Sequence, residues 1–266
     1  PLLDAISDIA INEDASQQTI NLSGINAGGG ETQQLRVTAI SSDAGLIPDP
    51  TVTYTSSEST GSLAFTPVAD QHGTATITVT VEDGGLDDDL STPGDNETFS
   101  RTFGVTVDPV NDAPLLDAIS DIAINEDASQ QTINLSGINA GGGETQSLRV
   151  TATSGDAGLI PDPTVTYTSS GSTGSLAFTP VADQHGTATI TVTVEDGGLD
   201  DDLSTPGDNS SLSRSFNVTV NPVNDTPTLN IIGDVVLDED SGEYTVQLSG
   251  VADGDSGSQP LRVTAT

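Results

Sequence analysis

The residues of this chain that could do chemistry are carboxylates, set at strand ends. They fall in Asn12-Glu13-Asp14, in Ala69-Asp70-Gln71-His72-Gly73, in Val81-Glu82-Asp83-Gly84-Gly85 and in Asp108-Pro109-Val110-Asn111-Asp112-Ala113-Pro114. Hard oxygen donors in a chain with no Cys suit calcium better than zinc or copper. Nucleophilic catalysis has no signature: no Gly-x-Ser-x-Gly elbow occurs, and no base is placed for one. Carboxylate pairs for glycoside hydrolysis could be drawn anywhere in so acidic a chain, so they point nowhere. His72 and His185 occupy one repeat position, in a Gln-His-Gly turn that reads as turn chemistry. The chain reads as a non-enzyme.

A further acidic loop, Asp83-Gly84-Gly85-Leu86-Asp87-Asp88-Asp89 with Asp95 beyond it, has neither the EF-hand ligand order nor a nonapeptide period. Two readings stay open for it, a local calcium loop and a solvated long hairpin.

The charge balance is extreme, 40 Asp plus Glu against 5 Lys plus Arg, a formal −35. Such a surface repels nucleic acid and anionic lipid, so neither is expected as a partner. It also repels itself, which cations at clustered carboxylates would relieve; a solvated acidic surface suited to salty surroundings is the other reading. With no Cys there is no disulfide clamp, and bound metal is a common substitute in an extracellular domain. No apolar run is long enough to span a membrane, so direct insertion is not expected.

The elements that must position these carboxylates repeat. Pro1-Leu2-Leu3-Asp4-Ala5-Ile6 returns at Pro114, and Pro227 opens a third copy, a period of 113 residues. The first two copies differ at eleven positions, seven of them between Glu97 and Ala113. A period this long is a whole domain with its own core. We expect repeats over residues 1–112 and 113–225, and a partial third over 226–266. The chain begins and stops within repeats, so the lack of a signal peptide says nothing about export. The partial copy carries the first three strand patterns of a repeat. That is too few to close a sandwich, so its order should depend on docking against the second copy or on the rest of a domain.

Alternation of period two marks seven strands in each full copy. In the first they centre on Ile9 and Ile11; Ile20 and Leu22; Leu35, Val37 and Ala39; Val52 and Tyr54; Leu63 and Phe65; Ala75, Ile77, Val79 and Val81; and Phe99, Phe103, Val105 and Val107. One face buried and one wet is the pattern of two antiparallel sheets packed face to face. Seven strands in about a hundred residues is the immunoglobulin-like count. The expected fold class is all-β: tandem seven-stranded immunoglobulin-like β-sandwich domains. Arg101 falls on the apolar phase of the last strand, so a carboxylate partner near the strand mouth is expected. Pro109 and Pro222 forbid a continuing central strand and mark interdomain joints.

These motifs, in this order and spacing, resemble the cadherin-like and immunoglobulin-like tandem repeats of very large bacterial surface proteins and adhesins. The carriers are the Pro-Val-Asn-Asp-Ala-Pro joint, Asn12-Glu13-Asp14, Val81-Glu82-Asp83-Gly84-Gly85 and, in the third copy, Asp253-Gly254-Asp255-Ser256-Gly257. The resemblance covers the whole chain and implies a cadherin-like sandwich with calcium at each joint. Matched by position, the first joint would use Glu13, Asp70, Asp108, Asn111, Asp112 and Asp196. The second would use Glu126, Asp183, Asn224, Asp225, Asp253 and Asp255. The chain departs from the family in lacking its Asp-Arg-Glu motif, of which Asp70 alone remains. It also has a shorter linker, and Ala27 and Gly29 stand where the third copy has Asp253 and Asp255. The second joint is therefore expected to bind calcium more tightly than the first.

The resemblance implies an extracellular, secreted or cell-surface segment: a structural and adhesive spacer with calcium-stiffened joints. Its partners would be neighbouring repeats and a cell-surface protein or glycan. The alternative, from another class, is a calcium-dependent carbohydrate-binding module array. Against it stands the scarcity of aromatic platforms, with no Trp and only Tyr54, Tyr167 and Tyr244 among the tyrosines.

Overall fold

The computed structural model describes residues 1–92, 94–255 and 259–266. The chain divides into two compact units, Pro1–Asp112 and Ala113–Thr266. In the first, seven strands form: β1 (Ile9–Asn12), β2 (Gln18–Ser23), β3 (Leu35–Ser41), β4 (Thr51–Thr53), β5 (Thr60–Phe65), β6 (Gly73–Asp83) and β7 (Thr98–Asp108). They build a four-stranded sheet in the order β1-β7-β6-β3 and a three-stranded sheet in the order β2-β5-β4. The second unit repeats the plan with β8 (Ile122–Asn125), β9 (Gln131–Leu135), β10 (Leu148–Ser154), β11 (Thr164–Thr166), β12 (Gly174–Phe178), β13 (Gly186–Asp196) and β14 (Ser211–Asn221). Each unit is a seven-stranded immunoglobulin-like β-sandwich. The described residues form no α-helix, hence none long and apolar enough to cross a membrane.

Alternation accounts for the core. Along β6, Ala75, Ile77, Val79 and Val81 are buried while Thr74 and Thr76 face water. They pack with Phe103, Val105 and Val107 of β7 and with Leu22 and Leu63 of the opposite sheet. The outer face is knitted by hydroxyls, as in Thr80 with Ser100 at 2.8 Å and Thr193 with Ser213 at 2.8 Å. Leu46 and Ile47 complete the core from outside any strand. The Asp43 side chain accepts from the amides of Gly45 and Leu46 and its carbonyl from that of Ile47, so a turn aims both residues inward.

Two expectations are corrected. Arg101 pairs with no carboxylate among the described residues: its Nε donates to the Leu3 carbonyl at 3.2 Å, and its guanidinium lies 4.9 Å from the Phe99 ring centroid. A planar cation can be satisfied by a carbonyl and an aromatic face while its stem covers the strand. The expected three strands of the third copy also do not form among its described residues, where a single bridge joins Thr228 and Ala252. The ladders give the reason. Within a unit β1 pairs with β7, β2 with β5 and β3 with β6, so no two of the first three strands pair with one another. A segment carrying only those patterns has no ladder to build from itself, and Ile231 and Val236 stay 99% and 92% exposed.

Candidate metal centre

The centre in the first unit begins where β1 stops. The Glu13 amide continues the ladder, donating to the Asp108 carbonyl at 2.9 Å. Beyond it Pro109 has no N–H to offer, and the next donor, Val110 N, is taken by Glu13 Oε1 at 2.7 Å. That bond fixes a buried carboxylate whose second oxygen, Oε2, stands 3.7 Å from His72 Nδ1. Asp14 and Asp70 both sit in left-handed backbone, φ 60 and 58, a conformation Asp tolerates in turns. The Asp70 amide donates to Asp14 Oδ1 at 3.3 Å, which ties the two turns together. Ligand oxygens of Asp14, Asp70 and Asp112 then lie within 4.8 Å of one another, and Glu13 and Asp112 approach as closely. Burial raises the Asp112 carboxyl above its ordinary value, and the charges of Asp14, Asp70 and Glu13 raise it further.

The second unit builds the same end. Glu126 Oε1 accepts from Val223 N at 2.6 Å, and its Oε2 stands 3.6 Å from His185 Nδ1. The Asp183 amide donates to Asp127 Oδ1 at 3.2 Å. Asp127, Asp183 and Asp225 form one group of oxygens within 4.8 Å, and Glu126, Asp225 and Asp255 form another. Asp225 thus belongs to both. Its amide donates to Asp255 Oδ1 at 2.8 Å, and its own carboxyl is raised by burial and then by Asp127, Asp183, Asp255 and Glu126. Glu126 Oε2 and Asp225 Oδ2 are buried, and no hydrogen-bond donor among the described residues reaches either. A buried anionic oxygen without a donor is costly unless something positive supplies the missing interaction.

Of the residues expected from the sequence, Glu13, Asp70 and Asp112 gather in the first unit, and Glu126, Asp183, Asp225 and Asp255 in the second. Asn111 and Asn224 flank Asp112 and Asp225; Asn224 Nδ2 donates to the Asp225 carbonyl at 3.0 Å. Asp108 ends β7 exposed and outside these groups, joined to the site through its carbonyl. Asp253 is likewise outside them, its Oδ2 accepting from Gln259 N at 2.7 Å. Ser256 and Gly257, the last residues of that third-copy motif, lie outside the described residues. Asp196 is fully buried at the end of β13, where Oδ1 accepts from Gly198 N and Ser210 N at 3.0 and 2.8 Å. Asp14 and Asp127 are not in the ligand sets that the resemblance implies. Each stands beside the expected Glu, in a motif already notable for its acidity.

The long acidic loop joins the paired strands β6 and β7 and is held by its own hydrogen bonds. Asp83 Oδ1 accepts from Gly85 N and Glu97 N, and Asp95 Oδ2 from Leu86 N at 2.7 Å. Asp87 receives the Asp89 amide and the Thr92 hydroxyl. At Gly85, φ +60, a Cβ would sit 2.5 Å from the Asp95 carboxyl carbon, so the tight approach needs glycine. These carboxylates serve the loop's own donors, and among the described residues they join no three-carboxylate group. The tyrosines of the two full repeats are built inward as well. Tyr54 and Tyr167 pack on the cores and donate their hydroxyls to the Glu58 and Gly171 carbonyls at 3.0 and 2.9 Å.

No protein-family model and no curated protein matches the chain. Among solved structures it is similar to human CDH23 EC21-23, at 17% identity over 96% of this chain and 85% of that one, TM-score 0.44. Mouse cadherin-23 EC22-24 follows at 14% identity over 86% of this chain and 67% of that one, TM-score 0.43. The titin domains Z1Z2 in complex with telethonin are similar at 8% identity over 84% and 96%, TM-score 0.33.

Proposed function

We propose that this chain is a structural and adhesive spacer, a secreted or cell-surface segment of a large repetitive surface protein, whose repeats are joined by calcium-stiffened linkers. Its work is to bind ions and hold a span, not to catalyse a reaction. Neighbouring repeats are its first partners, and a cell-surface protein or glycan is the adhesive one. The observation that carries the reading is the pair of buried, donor-free oxygens, Glu126 Oε2 and Asp225 Oδ2, beside Asp255. All-oxygen donors of mixed geometry suit calcium, whose coordination is flexible and takes six to eight oxygens. Asp127, Asp183 and Asp225 supply a second oxygen set that shares Asp225. A cation held there would restrain the segment after β14 against the turns after β8 and before β13. Without it, like charges would push these apart.

Calorimetry of the whole chain titrated with calcium tests the binding, and absence of saturable heat would remove it. Small-angle scattering with calcium and with chelator tests the stiffening. The expected result is a longer maximum dimension with calcium; an unchanged dimension sinks the spacer reading even if calcium binds.

A further inference from the structure

The two histidines of the chain stand against the two buried glutamates at nearly the same separation. His185 Nδ1 is 3.6 Å from Glu126 Oε2, and His72 Nδ1 is 3.7 Å from Glu13 Oε2. A direct hydrogen bond would draw such atoms to about 2.7–3.2 Å. Two ligands on one zinc-sized ion, each about 2.0–2.2 Å from it at a near-tetrahedral angle, sit about 3.4 Å apart. The ring is half exposed and the Glu126 carboxylate is not, with side-chain exposures of 46% and 3%. An ion could therefore enter past the ring and meet a fixed oxygen. Glu126 Oε1 is already committed to Val223 N, so Oε2 is the atom left to face the ring, and no hydrogen-bond donor reaches it. A cavity of about 310 Å³ opens here, lined by Glu126, His185, Asn224, Asp255 and Gln259 among others.

We propose that His185 Nδ1 and Glu126 Oε2 form a subsite for a borderline divalent transition-metal ion of the zinc type, completed by oxygens of this cavity, and that His72 and Glu13 form its counterpart in the first unit. Imidazole nitrogen favours such ions, whereas calcium gains little from it. The subsite rests on reading these strand ends as cation sites, but it asks for a different ion and a different donor. Glu126 Oε2 also belongs to the oxygen group with Asp225 and Asp255, so the two ions would be neighbours or rivals there.

The chain has 2 histidines, which makes the test direct. The whole chain, labelled with nitrogen-15 at histidine and stripped of metal, is titrated with zinc and separately with calcium. His72→Gln and His185→Gln assign the two Nδ1 signals. Zinc is expected to shift both Nδ1 resonances saturably, and calcium alone to leave them in place. His185→Gln is expected to weaken zinc binding at the second unit by roughly tenfold or more. Nδ1 signals that stay still under zinc, or a zinc affinity unmoved by His185→Gln, overturn the subsite. Calcium heat on the same sample separates the two readings. Heat with calcium but no zinc shift removes this inference alone. A zinc shift without calcium heat upholds it and removes calcium.

Discussion

The two sandwiches differ little inside and more at their ends. Four of the eleven substitutions between the full copies lie before Glu97: Gln34, Ile40, Ser42 and Glu58 become Ser147, Thr153, Gly155 and Gly171. The cores absorb none of these, and Phe103 and Phe216, Ile77 and Ile190, Leu63 and Leu176 are buried alike. The carboxylate ends are not equal. Glu13, Asp14, Asp70 and Asp112 have counterparts in Glu126, Asp127, Asp183 and Asp225, but the second set also receives Asp255, whose sequence equivalent in the second copy is Gly142. Nearly identical sandwich interiors, with Phe99 and Leu212 the exchange that reaches them, can thus carry strand ends with different carboxylate sets, because an end is assembled partly from residues outside the seven strands.

The largest effects should show where the units are alike. Phe103→Ala and Phe216→Ala each remove a buried ring and should cost about 3–5 kcal/mol in thermal or denaturant unfolding. A clearly smaller cost in one unit would break the equivalence of the cores. Next comes Glu126→Gln, which can still accept from Val223 N but removes the charge that an ion would meet. It should weaken calcium binding at the second unit roughly a hundredfold by calorimetry. Asp255→Gly makes the second end resemble the first and should cost about tenfold in calcium affinity. An unchanged affinity would show that the extra carboxylate is not what separates the ends.

Acidity offers a gentler probe. Asp112 and Asp225 have carboxyls raised above 3.8, so between 3.8 and the raised value the folded chain holds protons that the unfolded chain has lost. Stability of the metal-free chain should therefore fall as pH rises through that window and stay low above it. In chelator, melting should fall as pH rises from 3.8 through that window; calcium should shrink or reverse the fall, since protons then compete with the ion. Calcium leaving that fall untouched would dissociate these carboxyls from the ion. The smallest effect is Glu58→Gly, which copies the second unit. The Tyr54 hydroxyl bonds the Glu58 carbonyl, not its side chain, so the change should stay within about 0.5 kcal/mol. A larger loss would mean the Glu58 side chain braces the β4–β5 turn.

Much of the fold was legible because burial follows alternation, and the seven strand centres of the first copy fall on or beside β1 to β7. Tyr54 sits one residue past β4, close enough to pack on the core from the strand's end. What alternation cannot carry is pairing. The joining of β1 to β7 spans most of a repeat, and no local pattern announces it. Leu46 and Ile47 were hidden for another reason, since a turn built on Asp43 aims them inward without any period. At the candidate centre the expected Glu13, Asp70 and Asp112 were readable as acids at strand ends. Asp14 is legible only as a member of Asn12-Glu13-Asp14 and not as a ligand, because its role depends on a left-handed backbone that brings it to Asp70. His72 read as turn chemistry, and its position against Glu13 Oε2 is set by a bond between Glu13 and Val110, 97 residues apart.

The parallel pairing of β1 with β7 has a mechanical consequence. The chain enters a unit through one of these strands and leaves through the other, and they are bonded over Ile9↔Val105 to Asn12↔Asp108. Tension on the two ends draws these neighbours past each other along their length. The load falls on all their hydrogen bonds at once, in shear, instead of peeling them one by one. The tie from Glu13 to Val110 extends that clamp past Pro109, where the ladder itself would have stopped. A unit built this way yields late under pull.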